Sequence, residues 1–226
     1  DPGVRGVAAR ALGMHGDPAH ADLILPLLKE SNRLVRLEAV RALQRIHNPK
    51  AVDALLTSVD AGQEFDQDVR AEAATALGQY SQRRVLQALV GTLDDDYLAV
   101  TTAAQRSLNV LTGQSFGEDQ RAWLAWLQKT DNVFAGRKAY LYPAYNRDEF
   151  WYEYIPFVSP PPNEIAGTPV GMLPDGRTDT TLSRVRSPGA ASSGESFIPP
   201  TTAAKPAEQR PPSQPTIVAE PAPKAD

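Results

Sequence analysis

Apolar and polar positions over the first 129 residues follow a helical period, and the pattern itself recurs. It runs first as Asp1-Pro2-Gly3-Val4-Arg5-Gly6-Val7-Ala8-Ala9-Arg10-Ala11-Leu12-Gly13. A second copy spans Asn32 to Leu43, a third Asp66 to Gly78, and a worn fourth Val100 to Leu108. The equivalent valines Val4, Val35, Val69 and Val100 stand 31, 34 and 31 residues apart. Val4, Ala8, Ala11 and Leu12 fall at i, i+4, i+7 and i+8, which predicts one buried face of a helix. Self-similarity at a fixed spacing of this size predicts a solenoid, in which each unit covers the apolar face of its neighbour.

Each copy predicts two helices. Asp1 is placed to cap the first and Pro2 to begin it, where a missing N–H costs nothing. Gly13 to Gly16 end that helix, and Asp17-Pro18 repeats the same start for the second, with Ile24, Leu27 and Leu28 inward and Pro26 predicting a kink. Later pairs are expected over 33–46 and 49–59, 67–79 and 83–93, and 97–111 and 118–128. Ala8-Ala9, Ala39, Ala73-Ala74 and Ala103-Ala104 are small enough to let neighbouring helices approach closely. The first copy fits the shared pattern best, whereas a terminal repeat is normally atypical; this predicts further repeats, or a removed targeting segment, upstream of Asp1.

The phrase Asp-Pro-x-Val-Arg-x-x-Ala-Ala-x-Ala-Leu-Gly, followed by Gly16-Asp17-Pro18, resembles the short HEAT repeats of the phycobilin-lyase type over about residues 1–128. That resemblance implies an all-α fold, an α-solenoid of about four helix pairs, serving as a scaffold or adaptor. Some members of the class are lyases or chaperones for bilin pigments. The stretch Leu111-Thr112-Gly113-Gln114-Ser115-Phe116-Gly117, with Ala122-Trp123-Leu124-Ala125-Trp126, is similar to the closing segment of HEAT-repeat proteins from bacterial envelopes. It implies an envelope or extracytoplasmic setting.

Composition changes after Lys129, dividing the chain into a solenoid (1–129), an aromatic-rich irregular segment (130–158) and a Pro/Ala/Ser/Thr-rich tail (159–226). Residues 134–157 hold nine of the sixteen aromatics, namely Phe134, Tyr140, Tyr142, Tyr145, Phe150, Trp151, Tyr152, Tyr154 and Phe157. No helical period runs through them, and Pro143 and Pro156 interrupt them. The segment reads as irregular and partly extended, lying on a surface. With Trp123 and Trp126 as anchors, it either folds back over the last repeat or contacts a partner, since Tyr and Trp are enriched where binding energy concentrates. Sugar binding on aromatic platforms is a lesser alternative. The tail has too few large apolar side chains to offset its ordering entropy, so it is expected to be extended and disordered when alone.

Charge and the remaining chemistry narrow the function classes. The net charge is −4, divided equally between residues 1–129 and 130–226, so the basic excess that phosphate recognition requires is missing and nucleic acid is not an expected partner. The chain has no cysteine, which excludes disulfides and thiolate chemistry. No apolar run approaches the length of a membrane span. Arg5, Arg36 and Arg70 recur at one repeat position, broken by Thr101. They are expected to form a structural ladder joining adjacent repeats, with Asp17 the partner of Arg36. His15, His20 and His47 read as solvated residues of turns, because no further ligands stand at metal-site spacings. Asp94-Asp95-Asp96 are expected to cap the first helix of the fourth pair. No phosphate loop, nucleophile elbow or His-containing triad is present. The expected function is therefore non-enzymatic and cofactor-free. The chain is read as a protein–protein interaction scaffold or structural subunit, docking through the solenoid face and the aromatic extension. A bilin lyase or chaperone and a cell-wall polysaccharide binder are the alternatives.

Overall fold

A computed structural model describes residues 1–143, 166–173 and 175–180. The chain divides into two units, Asp1–Pro188 and Gly189–Asp226, and the second lies wholly outside the described residues. Among the described residues eight α-helices follow one another and no strand occurs: α1 (Pro2–His15), α2 (Ala21–Ile24), α3 (Arg33–Arg45), α4 (Ala51–Val59), α5 (Gln67–Leu77), α6 (Arg83–Thr92), α7 (Leu98–Thr112) and α8 (Gln120–Lys129). None is long and apolar enough to cross a membrane.

Local chemistry sets the helix ends. Asp1, Asn32, Asp66 and Asp119 cap α1, α3, α5 and α8, their side chains accepting backbone N–H groups that have no partner inside the helix. Gly16 and Gly113 close α1 and α7 in the left-handed conformation, with φ of 67° and 73°, which glycine adopts without a Cβ penalty. The second helix of the first pair is broken. A 3-10 turn (Pro18–His20), the single turn α2 and a 3-10 turn (Leu25–Lys29) replace it. Pro26 is responsible, because it lacks an N–H and its ring conflicts with the carbonyl of Asp22 one turn earlier.

The first helices α1, α3, α5 and α7 stack as one layer, and α4, α6 and α8 form the other. The first layer packs closely at small residues. A Cβ on Gly13 would stand 2.6 Å from the Ala42 Cα, and one on Gly78 would stand 2.8 Å from the Ser107 Oγ. The core is continuous from Ile24 through Leu43, Leu55, Leu77, Leu89 and Leu108 to Trp123.

The expected inward face of α1 requires correction. Gly6, Ala9 and Gly13 are its buried residues, whereas Val4 is 66% exposed and Ala8 and Ala11 are open to solvent. Val35, Val69 and Val100 are fully enclosed, because their helices have a first-layer neighbour on the side where Val4 has none. The valine period marks a repeat interface rather than the core of each pair.

The chain after α8 returns along the turns that join first and second helices. Lys138 donates its N–H to the Val110 carbonyl (2.8 Å), and Val170 donates to Arg45 and accepts from His47, making a parallel bridge between Ile46 and Val170. Gly136 lies against Gly113, and Gly171 (φ 89°) against Pro18. These residues form a strap touching the inter-helix turns of all four pairs. Residues 166–173 and 175–180 therefore correct the expectation of a tail free from 159 onward. Backbone pairing, which composition does not reveal, holds them to the solenoid.

Candidate functional site

The three arginines do form a ladder, and its partners come from the turn before the next repeat. Arg5 pairs with Glu30 at 2.8 Å. Arg36 forks onto Glu64, with Nε to Oε2 at 2.6 Å and Nη2 to Oε1 at 2.8 Å. Arg70 forks onto Asp95, with Nε to Oδ2 at 2.8 Å and Nη2 to Oδ1 at 3.0 Å. Each later arginine also reaches back: Arg36 donates to the Glu30 carbonyl and Arg70 to the Glu64 carbonyl. Glu30 and Glu64 thus hold one arginine by the side chain and the next by the backbone, so the ladder stitches successive repeats together. Hydrogen bonding to Glu64 holds the Arg36 pKa above its ordinary value, and that to Asp95 does the same for Arg70.

Two expectations change here. Asp17 is not the partner of Arg36; its carboxylate accepts the Ala19 N–H at the start of a 3-10 turn. Asp95 accepts the Tyr97 N–H, but its main engagement is with Arg70, and Tyr97 at the start of α7 has no side-chain cap. The Tyr97 ring lies 5.5 Å from the Arg70 guanidinium carbon, a cation–π contact closing the last rung.

The aromatic candidates separate into groups. Trp123 is 1% exposed and donates its indole N–H to the Gly117 carbonyl. Trp126 and Phe134 are half-buried against the core. Tyr140, within the strap, is buried, and Tyr142 is half-buried with the Arg45 guanidinium 5.4 Å from its ring. Trp123 and Tyr140 are therefore enclosed within the fold. Tyr145, Phe150, Trp151, Tyr152, Tyr154 and Phe157 lie outside the described residues.

His47 departs from the expected solvated turn residue, a site that sequence reasoning missed. It is buried, stacked on Tyr80 with ring centroids 4.9 Å apart. Its Nδ1 lies 3.2 Å from Gln79 Oε1 and its Nε2 3.1 Å from the Thr178 hydroxyl. Arg137 adds a fork across the strap, donating to the carbonyls of Gln79 and Asp175. The sequence signal was indirect: Thr178 is 131 residues away, in a stretch whose composition reads as tail.

Burial lowers the His47 pKa, with Arg137 adding to the effect and the Gln79 bond opposing it. The folded protein therefore binds the proton less readily than the unfolded chain. Stability contributed by neutral His47 is intact above about pH 6.5, the unfolded value, and falls below it by up to ~1.4 kcal/mol per pH unit. Urea midpoints measured from pH 7.5 to 5 show this slope, and His47→Gln flattens it. An unchanged slope in that variant would mean that His47 titrates freely. Tyr140 gives a second local expectation. Its hydroxyl is buried with no hydrogen-bond partner, and burial drives its pKa upward. Tyr140→Phe therefore raises stability by about 1–2 kcal/mol, read as a higher urea midpoint; a lower midpoint would mean that the hydroxyl is partnered.

The opposite edge, where each second helix turns into the next repeat, is not strapped by the described residues. There Phe65 is 86% and Leu98 73% exposed, and Leu34 and Tyr97 are also open.

Residues 1–65 match the model for HEAT repeats, and residues 69–95 match the model for the PBS lyase HEAT-like repeat. No match was found among curated proteins. The repeats that carry these matches, over residues 1–65 and 69–95, are HEAT repeats. The matched region ends at Asp95, and α7 with α8 continue the same stacking beyond it.

Proposed function

We propose that this HEAT-repeat protein is a non-enzymatic interaction scaffold, a structural subunit of a multi-protein assembly. HEAT repeats commonly mediate protein–protein scaffolding, and the observation that carries the reading here is the contrast between the two edges of the solenoid. One is covered by the chain's own strap, on which Leu141 and Val170 remain exposed, while the other presents Phe65, Leu98, Leu34 and Tyr97 to solvent with no strap over them among the described residues. Exposed apolar side chains gathered along one edge are a mark of protein contact. Docking through the solenoid face is joined by the aromatic segment with Tyr145, Phe150, Trp151, Tyr152, Tyr154 and Phe157, residue types favoured at binding hot spots. Nucleic acid is not a partner in this reading, because neither half of the chain has the required basic excess. The resemblance of the closing segment supports a bacterial envelope or extracytoplasmic setting.

The test uses three baits in native lysate: the whole chain, the chain with those six aromatics changed to serine, and Phe65→Ser. A stoichiometric protein partner that survives high-salt washing and is lost with either variant supports the scaffold. Recovery of no such partner by the whole chain overturns it. The PBS lyase match over 69–95 favours, as a second reading, a bilin lyase or chaperone. That reading requires a visible absorbance shift when free bilin is added, and none is expected. Carbohydrate is the least favoured ligand, and polysaccharide is expected to leave tryptophan fluorescence unchanged.

A further inference from the structure

A groove of about 490 Å³ opens between the C-terminal ends of α4 and α6. Leu56, Val59 and Ala88 give it an apolar floor, Gly91 leaves one side open, and Asp60 and Asp94 stand at its rim. Phe65 follows on the same edge of the solenoid. Two helix C-termini converge here, and each carries partial negative charge from its last carbonyls. The nearby arginines do not neutralise that charge. Arg36 is engaged by Glu64, Arg70 by Asp95 and Arg84 by Asp53. The Asp60 carboxylate accepts only the Gly62 N–H among the described residues, and the Asp94 carboxylate is exposed with no ion pair among them.

Gly91 is an independent observation. It sits in the last turn of α6, and a Cβ added there would meet nothing within 4 Å. No turn, positive φ or close approach among the described residues requires glycine at this position, although glycine destabilises a helix relative to alanine. What its missing side chain provides is room above the groove floor.

We infer that this groove receives a segment of a partner protein that sets a lysine or arginine beside a large apolar side chain. The apolar side chain lies on Leu56, Val59 and Ala88 in the space that Gly91 leaves. The cation meets Asp60, Asp94 and the two helix ends. The inference deepens the scaffold reading and rests on it.

The probe is a fluorescein-labelled twelve-residue peptide alternating Lys/Arg with Leu/Phe, titrated with the full chain and read by anisotropy. One control peptide carries Glu in place of each Lys/Arg, and another carries Ser in place of each Leu/Phe. Saturable binding of the first peptide alone is expected, weakening as salt rises. Affinity should fall at least tenfold with Gly91→Phe, which fills the groove, and with the paired change Asp60→Asn/Asp94→Asn. Gly91→Ala should bind as well as the parent and melt at a higher temperature, which separates blocking from misfolding. Equal binding of the Glu peptide, unchanged affinity in the blocked variants, or no saturable binding would each overturn the inference. Binding that appears only after residues 181–226 are removed would also overturn it, because the chain's own tail would then be the occupant. If Gly91→Phe still recovers the lysate partner, this groove fails while the scaffold stands; if the whole chain recovers none, the scaffold reading fails.

Discussion

Arg70→Ala is expected to destabilise the solenoid by about 3–5 kcal/mol, the range for breaking a buried ion pair by removing one partner. The side chains of Arg70 and Asp95 are 5% and 4% exposed, so the Asp95 carboxylate left behind cannot recover water. The Glu64 carbonyl loses its donor and Tyr97 loses its cation in the same step. The equivalent change at the open end of the ladder has a different size. Arg5 is 41% exposed at its pair with Glu30, and an exposed pair contributes roughly 0–1 kcal/mol. Arg5→Ala should therefore stay within about 1 kcal/mol of the parent. Arg70→Met/Asp95→Leu should recover most of the loss, because the penalty comes from an unpaired buried charge rather than from the missing attraction. Urea unfolding followed by circular dichroism measures all three. A loss for Arg70→Ala as small as that for Arg5→Ala would show that water reaches Asp95 and that the rung is not buried. A lower m-value in Arg70→Ala would show that the array has divided near the third repeat, as weakly coupled repeats do.

The ladder also marks the boundary of what the sequence makes legible. Its arginines are visible because they share a repeat position. Their acids are hidden, because Glu30, Glu64 and Asp95 lie 25, 28 and 25 residues downstream, in turns of unequal length. Helix ends are readable where a cap residue announces them, as at Asn32 and Asp66, and the kink at Pro26 follows from its chemistry alone. The buried face of α1 is less legible. Periodicity finds the apolar positions, but which of them are covered depends on which neighbours are present. The groove escapes notice for a similar reason: Leu56 and Val59 look like core, Gly91 looks like helix breaking, and only the stacking of α4 on α6 brings them together. His47 is the sharpest case. An isolated turn histidine reads as solvated until backbone pairing between Ile46 and Val170 lays Thr178 over it. Such pairing uses N–H and C=O groups that every residue has, so composition carries no trace of it.

Trp123→Ala is the other large expected loss, again about 3–5 kcal/mol, from the lost burial and the cavity left behind. For a chain of this length that corresponds to a fall in melting temperature of roughly 10 °C or more. Trp123 meets the edge of Phe116 at a centroid distance of 4.9 Å and is crossed by Trp126 at 6.1 Å. It thereby closes the apolar end of the last helix pair, where α8 has no further helix to cover it among the described residues. Trp123→Phe retains most of the apolar contact but leaves the Gly117 carbonyl without its indole donor, and should lose about 1–2 kcal/mol. Melting curves followed at 222 nm separate the three proteins. Binding measurements then give the comparison its functional meaning. Because Trp123 is enclosed, Trp123→Ala should lose a partner only as far as it unfolds, so binding returns when the temperature is lowered. Phe65→Ser should show the reverse, with an unchanged melting temperature and weaker binding at every temperature. If Trp123→Phe kept its stability and still lost the partner, the indole would be a contact residue, and the closing helix pair rather than the open edge would be the docking surface.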